Sequence, residues 1–231
     1  MSKSAHKTQI LVVGNGKLAK ELIGGLVSAN ECVVRPWATR ALDADRSIVV
    51  HTGSGRELGD VIAFCQTTQS VLMELSTGSV LENMTLGFPV ILCPNTNVLT
   101  LKFMRMLEQC GHLFKDTKIQ LTESHQAGKV SVPGTAVGIA RSLSLPDDAI
   151  VSIRSPAVQQ TELQIPIAHL SRHAYHQILI SDDSCSLKLE TRVYGEAPYT
   201  DGVSKIVAAI QAHDLQNRCY AIAEFIDSGW L

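Results

Sequence analysis

The chain has 231 residues, with 20 lysines and arginines against 22 aspartates and glutamates and a formal net charge of -2, so it can bury a sizeable core as one large domain or two small ones. Near-neutral charge with no long basic run excludes nucleic acid and membrane surfaces as expected partners. No apolar stretch approaches the ~20 residues that span a bilayer, and the polar opening, Met1 to Lys7, lacks the apolar core of a secretion signal, so a cytoplasmic protein is expected.

The first expected element is the β-rich run Thr8-Gln9-Ile10-Leu11-Val12-Val13, which ends in Gly14-Asn15-Gly16-Lys17-Leu18-Ala19. A helical pattern follows, with Leu18, Leu22, Ile23 and Leu26 on one face. Strand, glycine turn and helix in that order are the context that a G-x-G-x-x-A dinucleotide fingerprint needs. Gly14 permits the tight turn, Gly16 lets backbone approach a pyrophosphate, and Ala19 allows close helix–strand packing. Glu31 to Ala38 predicts a second strand, Arg46 to His51 a third and Leu58 to Cys65 a helix; Ser70 to Leu75 and Phe88 to Cys93 predict two more strands. This alternation implies a parallel sheet with ligands at the carboxyl ends of its strands. Those ends are Gly14-Asn15-Gly16, Ala38-Thr39-Arg40, His51-Thr52-Gly53-Ser54-Gly55, Ser76-Thr77-Gly78 and Pro94-Asn95-Thr96-Asn97, all small or polar. Ordinary turn composition accounts for any one of them more easily than for all five. NAD-specific sites usually carry an acid after the second strand. Here none occurs until Asp43, and Arg40 is suited to hold a 2′-phosphate bidentately, so NADPH is expected to bind at least as well as NADH.

The character then changes. Val98 to Leu107 predicts a helix leaving the sheet. Ile119-Gln120-Leu121-Thr122-Glu123 alternates apolar and polar and reads as a strand delivering His125. Pro133-Gly134-Thr135 opens a helical run, Ala136 to Leu143, with Thr135 placed to cap it. Backbone N–H groups at such a start bind a carboxylate or phosphate. Lys129 adds a full positive charge, and His125 is the side chain best suited to proton transfer near neutral pH. Together they suit a small anionic substrate that must be protonated. A plain polar loop is the alternative from this segment alone, and the glycine turn of the first half breaks the tie.

Ala149 to Arg154 and Gln177 to Ser181 predict strands. Asp182-Asp183-Ser184 predicts a hairpin turn into an alternating strand, Cys185 to Arg192, so the second sheet is half-exposed and partly antiparallel. Tyr199-Thr200-Asp201-Gly202 starts a helix, Val203 to Ala212, and Cys219 to Ile226 reads as another. The expected organisation is an α/β dinucleotide-binding domain (residues 1–97), an inserted α+β substrate domain (98–202) and C-terminal helices returning to the first domain (203–231). His169, Arg172, His173 and His176 are not spaced like a metal site and read as a polar loop. The six cysteines are scattered without a metal-like pattern, predicting free thiols and no bound metal.

In this order the segments resemble the 4-hydroxy-tetrahydrodipicolinate (dihydrodipicolinate) reductase family of the diaminopimelate and lysine pathway. Against the family pattern E-x-H-H-x-x-K-x-D-A-P-S-G-T-A the chain offers Glu123, His125, Lys129, Pro133, Gly134, Thr135 and Ala136. Ser76-Thr77-Gly78 is similar to the family's T-T-G, Pro94-Asn95-Thr96-Asn97 to its P-N-x-S, and Arg192 with Tyr199-Thr200-Asp201-Gly202 to its late strand arginine and glycine-bearing helix start. The resemblance implies reduction of a cyclic, unsaturated dicarboxylate by NADPH or NADH, in a homo-oligomer, typically a tetramer. It makes His125 the general acid and Lys129 a substrate-carboxylate ligand, with the amides and hydroxyl of Gly134-Thr135 on the distal carboxylate. His51-Thr52-Gly53 and Ser76-Thr77-Gly78 would line the nicotinamide ribose and carboxamide. The chain departs from the pattern at Gln126, where the family has its second histidine, at Ser131, where it has aspartate, and at Pro133-Gly134, where the loop is one residue shorter.

Overall fold

The computed structural model describes residues 8–26, 32–40, 46–53, 55–130, 133–195 and 197–231; Glu31, Asp43, Ser54 and Ser131 of the sequence reading lie outside them. The chain forms two compact units, one comprising residues up to Val98 and from Tyr199 onward, the other Leu99–Pro198. Among the described residues no helix is long and apolar enough to cross a membrane.

The first unit is a Rossmann-like α/β layer structure. Its strands are β1 (Gln9–Val13), β2 (Val33–Pro36), β3 (Ile48–His51), β4 (Val71–Glu74), β5 (Val90–Leu92) and β10 (Cys219–Ala221). They form one sheet in the order β10-β5-β4-β3-β1-β2, parallel throughout. Helices α1 (Lys17–Gly25), α2 (Leu58–Thr68), α6 (Thr200–Ala212) and α7 (Ile222–Asp227) complete it. Every residue of β3 and β4 is buried, as expected of central strands covered on both faces. Leu11, Val13, Val49, Leu58, Val61, Leu72 and Phe88 form the core between sheet and helix.

Two expectations change here. The second strand stops at Pro36, the residue that pairs with Val12 on the sheet edge. Proline has no N–H for a ladder, and Trp37–Thr39 turns into a single 3₁₀ turn instead. The run from Cys219 is not helical throughout. Cys219–Ala221 pairs with β5 as an edge strand, and the helix begins only at Ile222.

The second unit carries α3 (Val98–Cys110), β6 (Lys118–His125), α4 (Gly134–Ser142), β7 (Ile150–Ile153), α5 (Pro156–Thr161), β8 (His173–Ser181) and β9 (Ser186–Tyr194). Its sheet runs β7-β6-β8-β9; β6 is parallel to β7 and antiparallel to β8, which is antiparallel to β9. Leu107, Leu121, Ala136, Ile139, Ala140, Ile150 and Ile178 pack together and fix α4 on the sheet.

Thr135 does not cap α4. The first intrahelical bond runs from Val137 N to the Pro133 carbonyl, so the helix starts at Gly134 with Pro133 at its cap position, and Thr135 lies inside the first turn. His173 and His176 do not form a polar loop. They stand on β8, both buried; Ser124 and the His169 carbonyl partner the two nitrogens of His173, and Thr191 partners Nδ1 of His176.

Candidate functional site

In the first unit the chain passes from β1 to β2 on one side and then returns to place β3 on the other side of β1. That reversal is a topological switch point, where ligands of open parallel sheets bind at the carboxyl ends. Gly14 sits there with φ +117°, a conformation that glycine adopts without strain. A side chain on it would also strike Thr52 Oγ1 at 2.5 Å. Thr52 is held by the carbonyl of Val13, which accepts from its N–H at 2.9 Å and its hydroxyl at 2.8 Å. Gly16 has open space where a side chain would be, and α1 begins behind it with no acidic residue in its first turn and no side-chain cap. Asn15 and Lys17 are exposed and Leu18 half-buried beside it. These residues fit a pyrophosphate: a bare backbone approach in front of a nine-residue helix.

The next turns along the sheet close a cavity of about 450 Å³, lined by His51, Gly53, Glu74, Ser76, Thr77 and Gly78 among others. His51 ends β3 and Glu74 ends β4, directly paired in register. The His51 Nδ1 lies 2.9 Å from both Glu74 carboxyl oxygens. The Ser76 N–H also donates to Glu74, at 2.8 Å, and the Ser79 hydroxyl at 3.2 Å. Burial alone would raise the Glu74 pKa, but the His51 and Ser76 hydrogen bonds outweigh it and hold the carboxyl below its ordinary range. The Ser76 hydroxyl donates to Gly53 O, tying the two turns together.

Arg40 lies just past the 3₁₀ turn that follows β2. Its guanidinium stacks 3.9 Å over the Trp37 ring and donates to the Trp37 carbonyl, with Nε buried and unpartnered among the described residues. The Pro94–Asn97 segment is a tight junction: the Asn95 side chain accepts from Asn97 N, and α6 passes so close that a Cβ on Gly202 would lie 1.6 Å from the Thr96 carbonyl.

In the second unit, Glu123 and His125 stand two residues apart on β6 and therefore share one face. Glu123 is fully buried and His125 Nδ1 lies 2.9 Å from its Oε2. Arg154, just beyond β7, forks onto both oxygens of the same carboxylate, and the Ser152 hydroxyl donates to it as well. Burial pushes the Glu123 pKa up, but the hydrogen bonds from His125, Arg154 and Ser152 pull it further down, to about 2. The carboxylate therefore stays ionised and fixes the ring through Nδ1, leaving Nε2 as the nitrogen free to exchange a proton. The side chain of His125 is 14% exposed.

Arg154 does a second thing: its Nε donates to the Lys129 carbonyl at 2.9 Å. This pins the turn Gln126–Lys129, closed by Lys129 N to Gln126 O. Gln126 is exposed and Lys129 half-buried, and the ammonium makes no ion pair among the described residues. Gly134 and Thr135 form the first turn of α4, a nine-residue helix with no side-chain cap and no acidic residue there.

Behind His125 stand two more imidazoles, their ring centroids 5.8 Å (His176) and 6.5 Å (His173) away. Burial and the neighbouring His125 depress His176 to about 4, and burial is also the main cause that lowers His173, so both are neutral near pH 7. The buried Gln159 amide donates to the His125 carbonyl at 2.8 Å and to Ser124 Oγ at 3.0 Å, fixing the strand end. Sequence reasoning missed Glu74, Arg154, Ser152, Gln159 and both histidines as parts of these clusters. Only the Glu123-x-His125 spacing carried a readable signal, since alternate strand residues face the same way.

No protein-family model matches the chain. It is 32% identical over 104 residues to a probable 4-hydroxy-tetrahydrodipicolinate reductase 2, chloroplastic, of Oryza sativa subsp. japonica, covering 42% of this chain and 32% of that protein. It is 31% identical over 104 residues to 4-hydroxy-tetrahydrodipicolinate reductase 1, chloroplastic, of Arabidopsis thaliana, with 42% and 30% covered. The match thus spans about a third of the length of these curated relatives. Among solved structures, a dipicolinate-bound dihydrodipicolinate reductase from Paenisporosarcina sp. TG-14 superposes with TM-score 0.66 at 15% identity, covering 94% of this chain and 98% of that one. A probable dehydrogenase from Thermotoga maritima does so with TM-score 0.54 at 7% identity, over 96% and 93%. In sequence over two-fifths of its length, and in fold over nearly all of it, the chain is dihydrodipicolinate-reductase-like.

Proposed function

We propose that the chain is a nicotinamide-dependent reductase of a cyclic, unsaturated dicarboxylate, with 4-hydroxy-tetrahydrodipicolinate as the first substrate to try. The observation that carries this reading is the carboxylate-anchored imidazole of Glu123–His125, with the Lys129 turn and the start of α4 close behind it in sequence. The glycine turn and the turns after β3 and β4 would hold the nicotinamide cofactor, which when bound would supply the hydride. His125 donates a proton from Nε2 to the atom next to the one reduced, while Glu123 keeps the ring oriented through Nδ1 and remains ionised throughout. Lys129 pairs with one substrate carboxylate. The Gly134-Thr135 turn of α4 receives the other, where N–H groups and helix dipole favour an anion. Gln126 keeps a hydrogen-bond donor at the family's second histidine position without its charge.

The test is an assay of NADPH and NADH oxidation with 4-hydroxy-tetrahydrodipicolinate and a panel of cyclic imine mono- and dicarboxylates. Turnover confined to dicarboxylates is expected. An inert protein that still binds NADPH tightly would make the chain a non-catalytic nucleotide-binding relative.

A further inference from the structure

Arg154 is the first residue past β7, and its guanidinium reaches two separate parts of the second unit. Nη1 and Nη2 donate one to each oxygen of the Glu123 carboxylate, the group that also holds the His125 ring through Nδ1. Nη1 donates as well to the carbonyl of its chain neighbour, Ile153. Nε turns elsewhere, to the Lys129 carbonyl at 2.9 Å.

That last bond matters because the turn after β6 has little burial to hold it. Gln126, Ala127 and Gly128 are exposed, and the turn closes on itself through Lys129 N to Gln126 O at 2.9 Å. A segment with few buried contacts depends on each bond that ties it to a rigid element. Guanidinium is planar, with its N–H directions fixed relative to one another. By serving both acceptors at once, Arg154 sets the Lys129 backbone at a fixed place relative to the Glu123 carboxylate.

We infer that Arg154 is a positioning residue that acts on the reaction through two others. Through Glu123 it holds the His125 ring, and through the Lys129 carbonyl it sets where the ammonium meets a substrate carboxylate. This rests on the proposed roles of His125 as proton donor and Lys129 as carboxylate ligand. The two arms are chemically separable. Lysine at position 154 puts a methylene where Nε stands and a single ammonium near the place of the guanidinium carbon. The charge facing Glu123 survives that change; the donor to Lys129 does not. Glutamine removes the charge as well.

Steady-state kinetics tests the inference, on 4-hydroxy-tetrahydrodipicolinate or whichever panel dicarboxylate the wild type reduces fastest. Arg154→Lys should raise KM roughly tenfold, the worth of one hydrogen bond to a charged group, with a smaller fall in kcat. Arg154→Gln should raise KM as much and also lower kcat by about 10–10²-fold, because a displaced proton donor loses its reactive geometry. In the Lys129→Ala background, Arg154→Lys should raise KM no further, since both changes remove the same contact. A purely structural arginine would change the folded fraction and leave KM and kcat of the folded enzyme alone. Wild-type KM in Arg154→Lys, KM effects that multiply in the double variant, or wild-type kcat in Arg154→Gln each overturn the inference, while wild-type turnover keeps the proposed function standing. If Arg154→Gln does not fold, Arg154→Lys and the double variant decide; an Arg154→Lys that does not fold makes the guanidinium structural and also overturns the inference. A wild type inert on every dicarboxylate removes the proposed function and the positioning role with it.

Discussion

The two units each hold a histidine whose Nδ1 lies 2.9 Å from a buried glutamate, His51 on Glu74 and His125 on Glu123. They differ in surroundings. The first pair shares its carboxylate with a backbone N–H and a serine hydroxyl, and its ring is closed off from solvent. The second shares its carboxylate with the Arg154 guanidinium, and its ring is partly exposed at the end of β6. A sealed ring held in place by its carboxylate is fit to position the turns around it. A ring that reaches solvent, on a carboxylate already neutralised by arginine, is fit to deliver a proton and be recharged. The same local pair thus serves two ends, and the neighbours decide which.

The sharpest way to break this comparison is to remove the proton donor. In His125→Gln we expect kcat to fall by about 10²–10⁴-fold, the usual contribution of a positioned acid, with KM for the substrate little changed; steady-state kinetics on the active substrate measures it. A loss confined to KM would make His125 a binding group like Lys129 and erase the distinction between the two imidazoles.

Next in size is the effect of the arginine. Arg154→Ala leaves Glu123 buried with only His125 and Ser152, and breaking a buried ion pair from one side costs several kcal/mol. Because the Arg154 side chain is one-fifth exposed, about 2–3 kcal/mol is expected after allowing for solvent screening. Ser79→Ala in the first unit deletes the 3.2 Å bond to Glu74 and a long 3.4 Å bond accepted from Leu81 N and should cost about 1 kcal/mol. Chemical denaturation of both variants tests the contrast, and equal losses would mean that Arg154 is not what holds Glu123 charged.

A third contrast is a difference in acid response. His176 has its pKa lowered from 6.5 to about 4, so the unfolded chain binds more protons than the folded one between those values. Its contribution is complete above about pH 6.5, is lost as pH falls toward 4 and changes no further below that. His173 adds a loss of the same sign. Glu123, lowered from 4.5 to about 2, gives stability that is present above pH 4.5 and disappears as pH falls through 2. The stability curve should therefore bend near pH 6.5 and again below 4.5. His176→Gln should flatten the upper limb, worth on the order of 3 kcal/mol. An unchanged slope between pH 4 and 6.5 in that variant would show that His176 is protonated in the folded chain.

Much of this was legible beforehand because its causes are local. Apolar runs of strand length ending in small residues located β1, β3, β4 and β5 within a residue or two. The strand–glycine–helix order pointed to Gly14, where the structure has a positive φ and a neighbour that admits no side chain. The apolar–polar alternation before His125 anticipated β6, and helical spacing anticipated α4 within two residues at its start. Two of the misreadings share one cause, a partner distant in sequence. Cys219–Ala221 is a strand only because β5 offers an unpaired edge, and three residues carry no periodicity of their own. His-Ala-Tyr-His reads as a polar loop until Ser124, Thr191 and the His169 carbonyl give those imidazoles partners in a buried strand.

The sequence by itself determined where backbone must bend, which segments must be buried and which groups are chemically able to bind an anion or move a proton. Periodicity, glycine and proline act within a few residues, so those features can be read without a fold. Only the tertiary structure decided which carboxylate meets which imidazole. Glu74 lies 23 residues from His51, and Arg154 lies 31 from Glu123, and each reaches its partner only because neighbouring parallel strands end side by side. Burial then turns those chance-looking residues into fixed charges and fixed tautomers, because inside the protein a polar group must find its partner in the fold rather than in water.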